Sequence, residues 1–225
     1  VIRSTVLGVK NLSIAEIQKH FSYPVYVEYG ANAAGFGTVW RSKELKDAVY
    51  VIVTNNGVAG SIILNNEIYH GRTGRAGAFG HITLNPSGRK CFCGACGCWS
   101  AYNALNALTG LDETDLDGFF EKVNNEDPDA IAKWDEYLTY FADGLSTVSM
   151  SFDIDIVIDG PLAVYLEPWL DTIISKMQSR PTLNGENISI HLDTKSESPM
   201  AEGVALMIVA KFLNDELDNF RFDEL

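Results

Sequence analysis

Basic residues are scarce in this sequence. Its 225 residues include 17 Lys and Arg but 30 Asp and Glu, which gives a formal net charge of -13 at pH 7. Phosphate groups are bound by clustered Lys and Arg, so a chain with this balance is poorly suited to hold DNA or RNA by itself. Any contact with nucleic acid would have to come from a different segment.

The sequence also lacks long apolar runs. The richest apolar stretch, 204–213, is too short to cross a bilayer, and residues 1–10 lack the basic flank and apolar core of a signal peptide. We therefore expect a cytoplasmic protein with no membrane partner. With 46% hydrophobic and 21% charged residues, the composition is that of a soluble globular protein, long enough for one α/β domain or two small lobes.

Cysteine is absent outside one short segment. All four cysteines lie within 91–98, which is too local for disulfides that would tie distant segments together. With His81 they place five candidate metal ligands within eighteen positions, and a tetrahedral zinc site requires four. Because four ligands close the site to water, the cluster favours structural over catalytic zinc. The alternatives are reduced thiols without a metal, or local disulfides.

Hydrophobic periodicity and turn residues predict a mixture of helices and strands. The predicted helices cover 13–21, 31–40, 131–148, 162–177 and 201–213. The predicted strands cover 25–28, 49–53, 61–64, 68–69, 154–158 and 188–190. Between them, 71–97 is rich in Gly and Cys and is predicted to be an irregular loop, and the acidic tail 215–225 is predicted to fray.

Two motifs carry a resemblance to a known family. Residues 71–81 read G-R-T-G-R-A-G-A-F-G-H, and 91–98 read C-F-C-G-A-C-G-C. They resemble the signature of the ROK family of bacterial repressors, open reading frames and sugar kinases, which is G-x-x-G-x-A-G-E-x-G-H followed by C-x-C-G-x-x-G-C-x-E. Segments 27–34 and 155–160 resemble two further family motifs, so the resemblance spans nearly the whole chain.

The resemblance implies a metal site and a fold. The implied zinc ligands are His81, Cys91, Cys93 and Cys98, and Cys96 lies outside the pattern. The implied fold is α/β and actin-like (ribonuclease H-like), with two lobes and with sugar and nucleotide in the cleft between them. Its parts would be a remnant of the first lobe (1–45), a second lobe (46–198) containing the zinc loop (71–100), and a C-terminal helix returning toward the first lobe (199–225).

One part of the family pattern is missing. Family kinases begin with a strand and a D-x-G-G-T phosphate turn, and family regulators place a winged helix-turn-helix ahead of it. Neither precedes Val1. We therefore expect this chain to be the C-terminal portion of a longer protein, truncated at the N-terminus.

The implied sugar site departs from the kinase pattern. Its residues would be Tyr29, Gly30, Asn32, Ala78, His81 and Ser100. Gly30 stands where family kinases have the aspartate that accepts a proton from the sugar hydroxyl, and Tyr29 replaces a sugar-binding asparagine. Ala78 and Ser100 each replace a glutamate. We therefore assign no catalytic residue. The alternatives are that Asn32 only caps a helix, and that Tyr29 and Ser100 only fill space.

The implied nucleotide site departs as well. The family turn G-T-G-x-G-G, whose backbone approaches phosphate, reads N-N-G-V-A-G at 55–60. The glycine-rich loop after the predicted strand 154–158 reads Asp159-Gly160-Pro161. Pro161 lacks a backbone N–H donor, and the carboxylate of Asp159 would repel phosphate.

Three functions are compatible with these residues. The first is the sugar-responsive effector and dimerisation domain of a ROK transcriptional regulator, inactive as a kinase, whose homodimer contacts DNA only through an N-terminal helix-turn-helix. A ligand can shift such a protein between two states without any catalytic group. The alternatives are an ATP-dependent sugar kinase and a degenerate scaffold that binds no sugar.

Overall fold

A computed structural model describes residues 2–4, 9–110, 115–185 and 187–219. Within them the strands are β1 (Ile2–Ser4), β2 (Val9–Leu12), β3 (Ala48–Thr54), β4 (Gly57–Leu64), β5 (Glu67–Ile68), β6 (Asp155–Asp159) and β7 (Ile190–Leu192). The helices are α1 (Ile14–Gln18), α2 (Gly30–Arg41), α3 (Ser100–Asn103), α4 (Asn106–Thr109), α5 (Leu116–Asn124), α6 (Pro128–Phe152), α7 (Ala163–Leu166), α8 (Leu170–Gln178) and α9 (Pro199–Asn219). Short 3₁₀ turns cover Phe79–His81 and Glu167–Trp169.

A five-stranded mixed sheet organises the molecule, with the strand order β5-β4-β3-β6-β7. β3 and β4 form an antiparallel hairpin, whereas β3, β6 and β7 run parallel. The carboxyl ends of these three parallel strands therefore meet at one edge of the sheet, where α/β proteins place their ligands. The turn between β4 and β5 has positive φ at both Asn65 and Asn66, as a tight hairpin turn requires.

Alternate residues of β3 enter two different cores. Val49, Val51 and Val53 face the larger core, which α5, α6 and α8 complete with aromatic and aliphatic side chains. Tyr50 and Ile52 face the smaller core beneath α2. The side-chain period of two in a strand produces this division, and it buries the central strand on both faces.

The longest helix of the larger core is α6. Asp127 caps its first turn by accepting the N–H of Ala130, Pro128 occupies the first turn, and Asp153 ends the helix in a left-handed conformation. The predicted apolar stripe is largely buried: Trp134, Leu138, Phe141, Leu145 and Val148. Ile131 is exposed. It lies in the first turn of α6, where the helix extends past the edge of the core.

α2 and α9 pack closely against each other on the other face of the sheet. The crossing point has glycine on both helices, and a Cβ placed on Gly37 would lie 3.0 Å from the Cα of Gly203. A Cβ placed on Gly203 would lie 1.9 Å from the carbonyl oxygen of Ala33. Only glycine at 203 therefore permits this approach.

Replacing Gly203 with Val is expected to lower the free energy of unfolding by about 1–3 kcal/mol, because the added atoms must push two helices apart. Urea or thermal unfolding would measure the loss. Ala205→Val, at an exposed position of the same helix, is the matched control and should change stability little. Equal losses in the two variants would contradict the close packing of α2 on α9.

Several predicted elements need correction. The predicted strand 25–28 has no regular structure and pairs with none of the described strands, and Val25 N–H donates to the side-chain Oε1 of Gln18. The predicted helix 162–177 is divided into α7, a 3₁₀ turn and α8 around Pro168, which lacks an N–H. The last strand begins two residues later than predicted, at Ile190.

The C-terminal tail also differs from prediction. Where fraying was expected from 215, α9 continues to Asn219, and the remaining predicted tail, 220–225, lies outside the described residues. The sequence patterns also missed the β1–β2 pair and α5. In the described part of the chain, none of the helices has the length and apolar character that crossing a membrane requires. The division into 1–45, 46–198 and 199–225 stays a prediction.

Candidate metal centre and ligand cleft

The cysteine-rich loop is shaped by its backbone. Cys91 N–H donates to the carbonyl of Ala95, and Gly97 N–H donates to the carbonyl of Arg89. Gly97 has a φ of 77°, and a Cβ there would lie 1.7 Å from the backbone oxygen of Asn85. Glycine is therefore required at 97, and the turn that it permits brings Cys98 back toward Cys91 and Cys93.

Four side chains converge at this loop. The ligand atoms of His81, Cys91, Cys93 and Cys98 all lie within 4.8 Å of one another. Cys93 Sγ lies 3.7 Å from Cys98 Sγ, and Cys91 Sγ lies 3.8 Å from His81 Nδ1. In a tetrahedral zinc site with Zn–S bonds of about 2.3 Å, two sulfurs lie about 3.8 Å apart. The spacing therefore fits a small metal ion, and Cys96 is exposed outside the group.

The chemistry of the donor set agrees with this geometry. Burial raises the pKa of the Cys98 thiol to about 12, because a buried thiolate beside other sulfurs is unfavourable. A hydrogen bond from the main chain of Ala95 lowers the pKa of the exposed Cys93 thiol. A bound cation would remove the penalty at Cys98 by compensating the negative charge. Two sulfur ligands are buried and two ligand residues are exposed, so an ion could enter from solvent.

The loop is fastened to the larger core at its end. Trp99 is fully buried, and its ring occupies the space above Gly144 on α6, where a Cβ would lie 2.1 Å from the indole. Tyr102 stacks on Tyr140 with ring centroids 3.8 Å apart, and its hydroxyl accepts the N–H of Arg89. The metal centre is thereby held at a fixed position relative to α6.

A small cavity of about 320 Å³ lies beside the metal centre. Three residues of the implied sugar site line it: Tyr29, Ala78 and His81. Asn56, Arg75 and Phe92 line it as well. The volume is at the lower end of the range for small-molecule sites and suits one sugar ring.

The other three residues of the implied sugar site lie elsewhere. Ser100 is buried, and its hydroxyl forms hydrogen bonds with the N–H and the carbonyl of Val58. It therefore supports β4 and does not line the small cavity. Asn32 is buried and donates to Glu28 Oε1 at 2.8 Å, and its own Oδ1 has no partner among the described residues. Gly30 begins α2, and a Cβ there would lie 2.7 Å from Met200 Sδ.

A larger cavity of about 900 Å³ lies at the carboxyl ends of β3, β6 and β7. Its lining includes Thr54, Asn56, Asp159, Asp193 and Met200. Thr54 and Asn56 line the small cavity as well, so the two cavities are neighbours in one cleft.

Two buried carboxylates form the floor of the larger cavity. The carboxylate of Asp159 accepts hydrogen bonds from the hydroxyl of Tyr50 and from the backbone N–H of Gly160. Burial raises the pKa of the Asp159 carboxyl, and the hydrogen bond from Tyr50 opposes that effect. Burial, together with the nearby carboxylate of Asp159, raises the pKa of Tyr50. Asp193 accepts from Thr38 at 2.6 Å and from the Arg41 guanidinium at 2.7 Å.

The fold and the metal loop can now be compared with known proteins. The model of the ROK family matches residues 5–203. The chain belongs to the ROK family. This ROK chain is 33% identical over 81 residues to the xylose repressor of Bacillus subtilis (strain 168), a match that covers 36% of the chain and 21% of the repressor. It is 36% identical over 81 residues to the glucokinase of Halalkalibacterium halodurans, covering 35% of the chain and 24% of that enzyme.

A solved structure of the family has the same fold. It is the ROK family glucokinase from Streptomyces griseus in complex with glucose and AMPPNP, with 25% sequence identity and a TM-score of 0.73, covering 86% of this chain and 70% of that chain. The match confirms the α/β, actin-like fold that the resemblance implied. The sequence matches cover about a fifth of the repressor and a quarter of the glucokinase, and these relatives include both a regulator and a kinase.

The sequence patterns did not find the whole larger cavity. Asp159 was identified only as a residue that would repel phosphate, and Asp193 and Met200 were not identified. One rule could have pointed to these residues: the carboxyl ends of parallel strands meet at one edge of the sheet, where ligands bind. Asp193 follows β7 directly, but the predicted strand ended two residues too early to point to it.

Proposed function

We propose that this chain is the sugar-sensing and dimerisation domain of a ROK transcriptional regulator, without kinase activity. The observation that carries the proposal is at Gly30. This position has no carboxylate, and the side chain of Met200 fills the space into which one would project. A phosphotransferase needs a group within hydrogen-bond reach of the sugar hydroxyl to accept its proton. A sensor needs only a ligand that prefers one of two conformations.

The small cavity is the proposed position of the sugar. Tyr29 and Asn56 offer a hydroxyl and an amide to sugar hydroxyls, Arg75 offers a cation, and Phe92 offers an apolar face. The ring of His81 lines this cavity while its Nδ1 lies beside Cys91. A zinc ion held by His81, Cys91, Cys93 and Cys98 would have a structural role and would fix this wall of the cavity.

The remaining parts of the proposal concern the whole protein. We infer a cytoplasmic homodimer that contacts DNA through an N-terminal helix-turn-helix, with the sugar changing the relation between the two subunits. The xylose repressor relative supports a regulator of sugar metabolism. The strongly negative charge of the chain is unfavourable for direct contact with DNA, so we assign that contact to another segment.

A kinase is the second candidate, and two observations favour it. A glucokinase is among the relatives, and the cleft holds the buried carboxylate of Asp159. This carboxylate lies in the larger cavity and not in the small one, and it accepts hydrogen bonds from Tyr50 and Gly160. The alternative therefore requires the sugar to bind in the larger cavity.

A paired assay separates these functions. The purified chain is heated with a panel of monosaccharides and amino sugars, and in parallel is incubated with each sugar and MgATP. We expect one sugar at about 100 times its Kd to raise the midpoint by about 5–10 °C, with no sugar phosphate formed. Formation of a sugar phosphate by the parent chain, abolished in Asp159→Asn, would establish kinase activity instead. No shift with any sugar and no product would indicate a scaffold.

A further inference from the structure

The larger cavity raises the question of what it binds, because the small cavity already accommodates one sugar ring. Its volume is about 900 Å³ against about 320 Å³ for the small cavity, and Thr54 and Asn56 line both cavities. A ligand that fills only the small cavity would leave most of the cleft to water. The volume of the larger cavity is at the upper end of the range for small-molecule sites.

The charge of the larger cavity is unfavourable for a polyphosphate. Its lining contains the carboxylates of Asp159, Asp193 and Glu197, and no Lys or Arg of the described residues lines it. Arg41, which pairs with Asp193, is also held by Glu202. Like charges at close range in a partly buried site repel each other, and the low effective dielectric of such a site strengthens the repulsion.

The backbone just after β6 is also unsuited to phosphate. Pro161 has no N–H, and the N–H of Gly160 donates to the side chain of Asp159. α9 begins at Pro199, and its positive end would attract an anion, but Glu197 and Asp193 lie at that end. The usual attraction of a helix N-terminus for phosphate is therefore offset in this cavity.

The same lining suits an uncharged polyhydroxyl group. Thr54, Asn56 and Thr194 offer hydroxyls and an amide, and the carboxylates can accept hydrogen bonds from ligand hydroxyls. Val164 and Met200 supply apolar surface for the C–H faces of a sugar ring.

We propose that the larger cavity holds a second, unphosphorylated sugar unit, so that the effector extends across Thr54 and Asn56 and has at least the size of a disaccharide. This inference rests on the proposed sensing function and deepens it. The cavity that would hold a nucleotide in a kinase becomes the second half of the effector site.

Binding of matched ligands tests the proposal. Calorimetry with the chain compares glucose, several glucose-containing disaccharides of different linkage, the 6-phosphate of the disaccharide that binds best, and MgATP. We expect that disaccharide to bind at least ten times more tightly than glucose, its phosphate to bind at least ten times more weakly than the parent, and MgATP not to bind.

Two variants locate the second unit. Val164→Trp, at an exposed position of the larger cavity, should weaken the disaccharide at least tenfold and leave glucose unchanged. Ala78→Trp, in the small cavity, should weaken both ligands. Unfolding midpoints show whether each variant is folded.

The possible failures are distinguishable. Glucose that binds as tightly as every disaccharide, with no effect of Val164→Trp, would overturn the second sugar unit and leave the sensing function intact. Binding of MgATP to the parent chain that Val164→Trp abolishes would also overturn the second sugar unit. Absence of binding by these sugars and by every monosaccharide and amino sugar of the thermal-shift panel would overturn both the sensing function and this inference.

Discussion

Replacing Cys93 with Ser is expected to abolish metal binding by the cluster and to lower the unfolding midpoint by about 6 °C or more. Cys93 Sγ is one of four atoms grouped within 4.8 Å, and the loop around it has few apolar side chains to hold it without a metal. In small zinc domains the apparent binding free energy is about 10–16 kcal/mol, so loss of a fraction of it is a large part of the stability of a domain. A loss of about 3–5 kcal/mol corresponds to about 6–12 °C at this chain length.

Cys96→Ser is the matched control for this experiment. Both thiols are exposed and both belong to the same loop, but Cys96 lies outside the group of four. Metal analysis of protein purified without added zinc should return about one zinc per chain for the parent and for Cys96→Ser, and much less for Cys93→Ser. Equal metal contents and equal midpoints for the two variants would show that Cys93 is not a metal ligand, and absence of zinc from the parent as well would show that the cluster does not bind an ion.

The metal centre was predictable from sequence because its ligands are local. Cys91, Cys93 and Cys98 are separated by two and five positions, and the glycines between them specify tight turns. His81 is only ten positions away from Cys91. A local cluster of this kind needs no knowledge of the tertiary fold, and the structure confirms that these four side chains converge.

The strands of the central hairpin and the long helices were predictable for a similar reason. β3 and β4 have β-branched residues around a short polar turn, and α6 has apolar residues at helical spacing. The predicted strand at 25–28 was wrong because β-branched and aromatic residues also occur in extended segments without a partner strand. Pairing depends on tertiary structure, and composition alone does not specify it.

The ligand cleft was only partly predictable because its walls are distant in sequence. Asp159, Asp193 and Met200 line one cavity because β6 and β7 end, and α9 begins, at the same edge of the sheet. The loss of a carboxylate at Gly30 was visible in the sequence. The packing of Met200 into that space was not, since 170 positions separate the two residues.

Replacing Asp193 with Ala is expected to destabilise the protein by about 3 kcal/mol, since it removes the more buried of the two carboxylates that pair with the Arg41 guanidinium. The side chains of Asp193 and Arg41 are 7% and 23% exposed, and Asp193 also accepts a hydrogen bond from Thr38. Removing one member of a buried ion pair leaves the other charge uncompensated, which costs more than the pair itself contributes. Arg41 keeps its contact with Glu202 at 2.9 Å, so the loss should stay at the lower end of the range for buried pairs.

Arg89→Ala provides the comparison, because Arg89 forms an exposed ion pair with Glu136. Their side chains are 45% and 49% exposed, respectively. Solvent screens such a pair, and its loss should cost less than about 1 kcal/mol. Urea unfolding of the two variants should therefore differ by at least about 2 kcal/mol, with the larger loss for Asp193→Ala. The pair joins the C-terminal end of α2 to the floor of the larger cavity and, through Glu202, to α9. Equal losses in the two variants would mean that this connection contributes no more than a surface contact and could not hold α2 and α9 in place beneath a bound ligand.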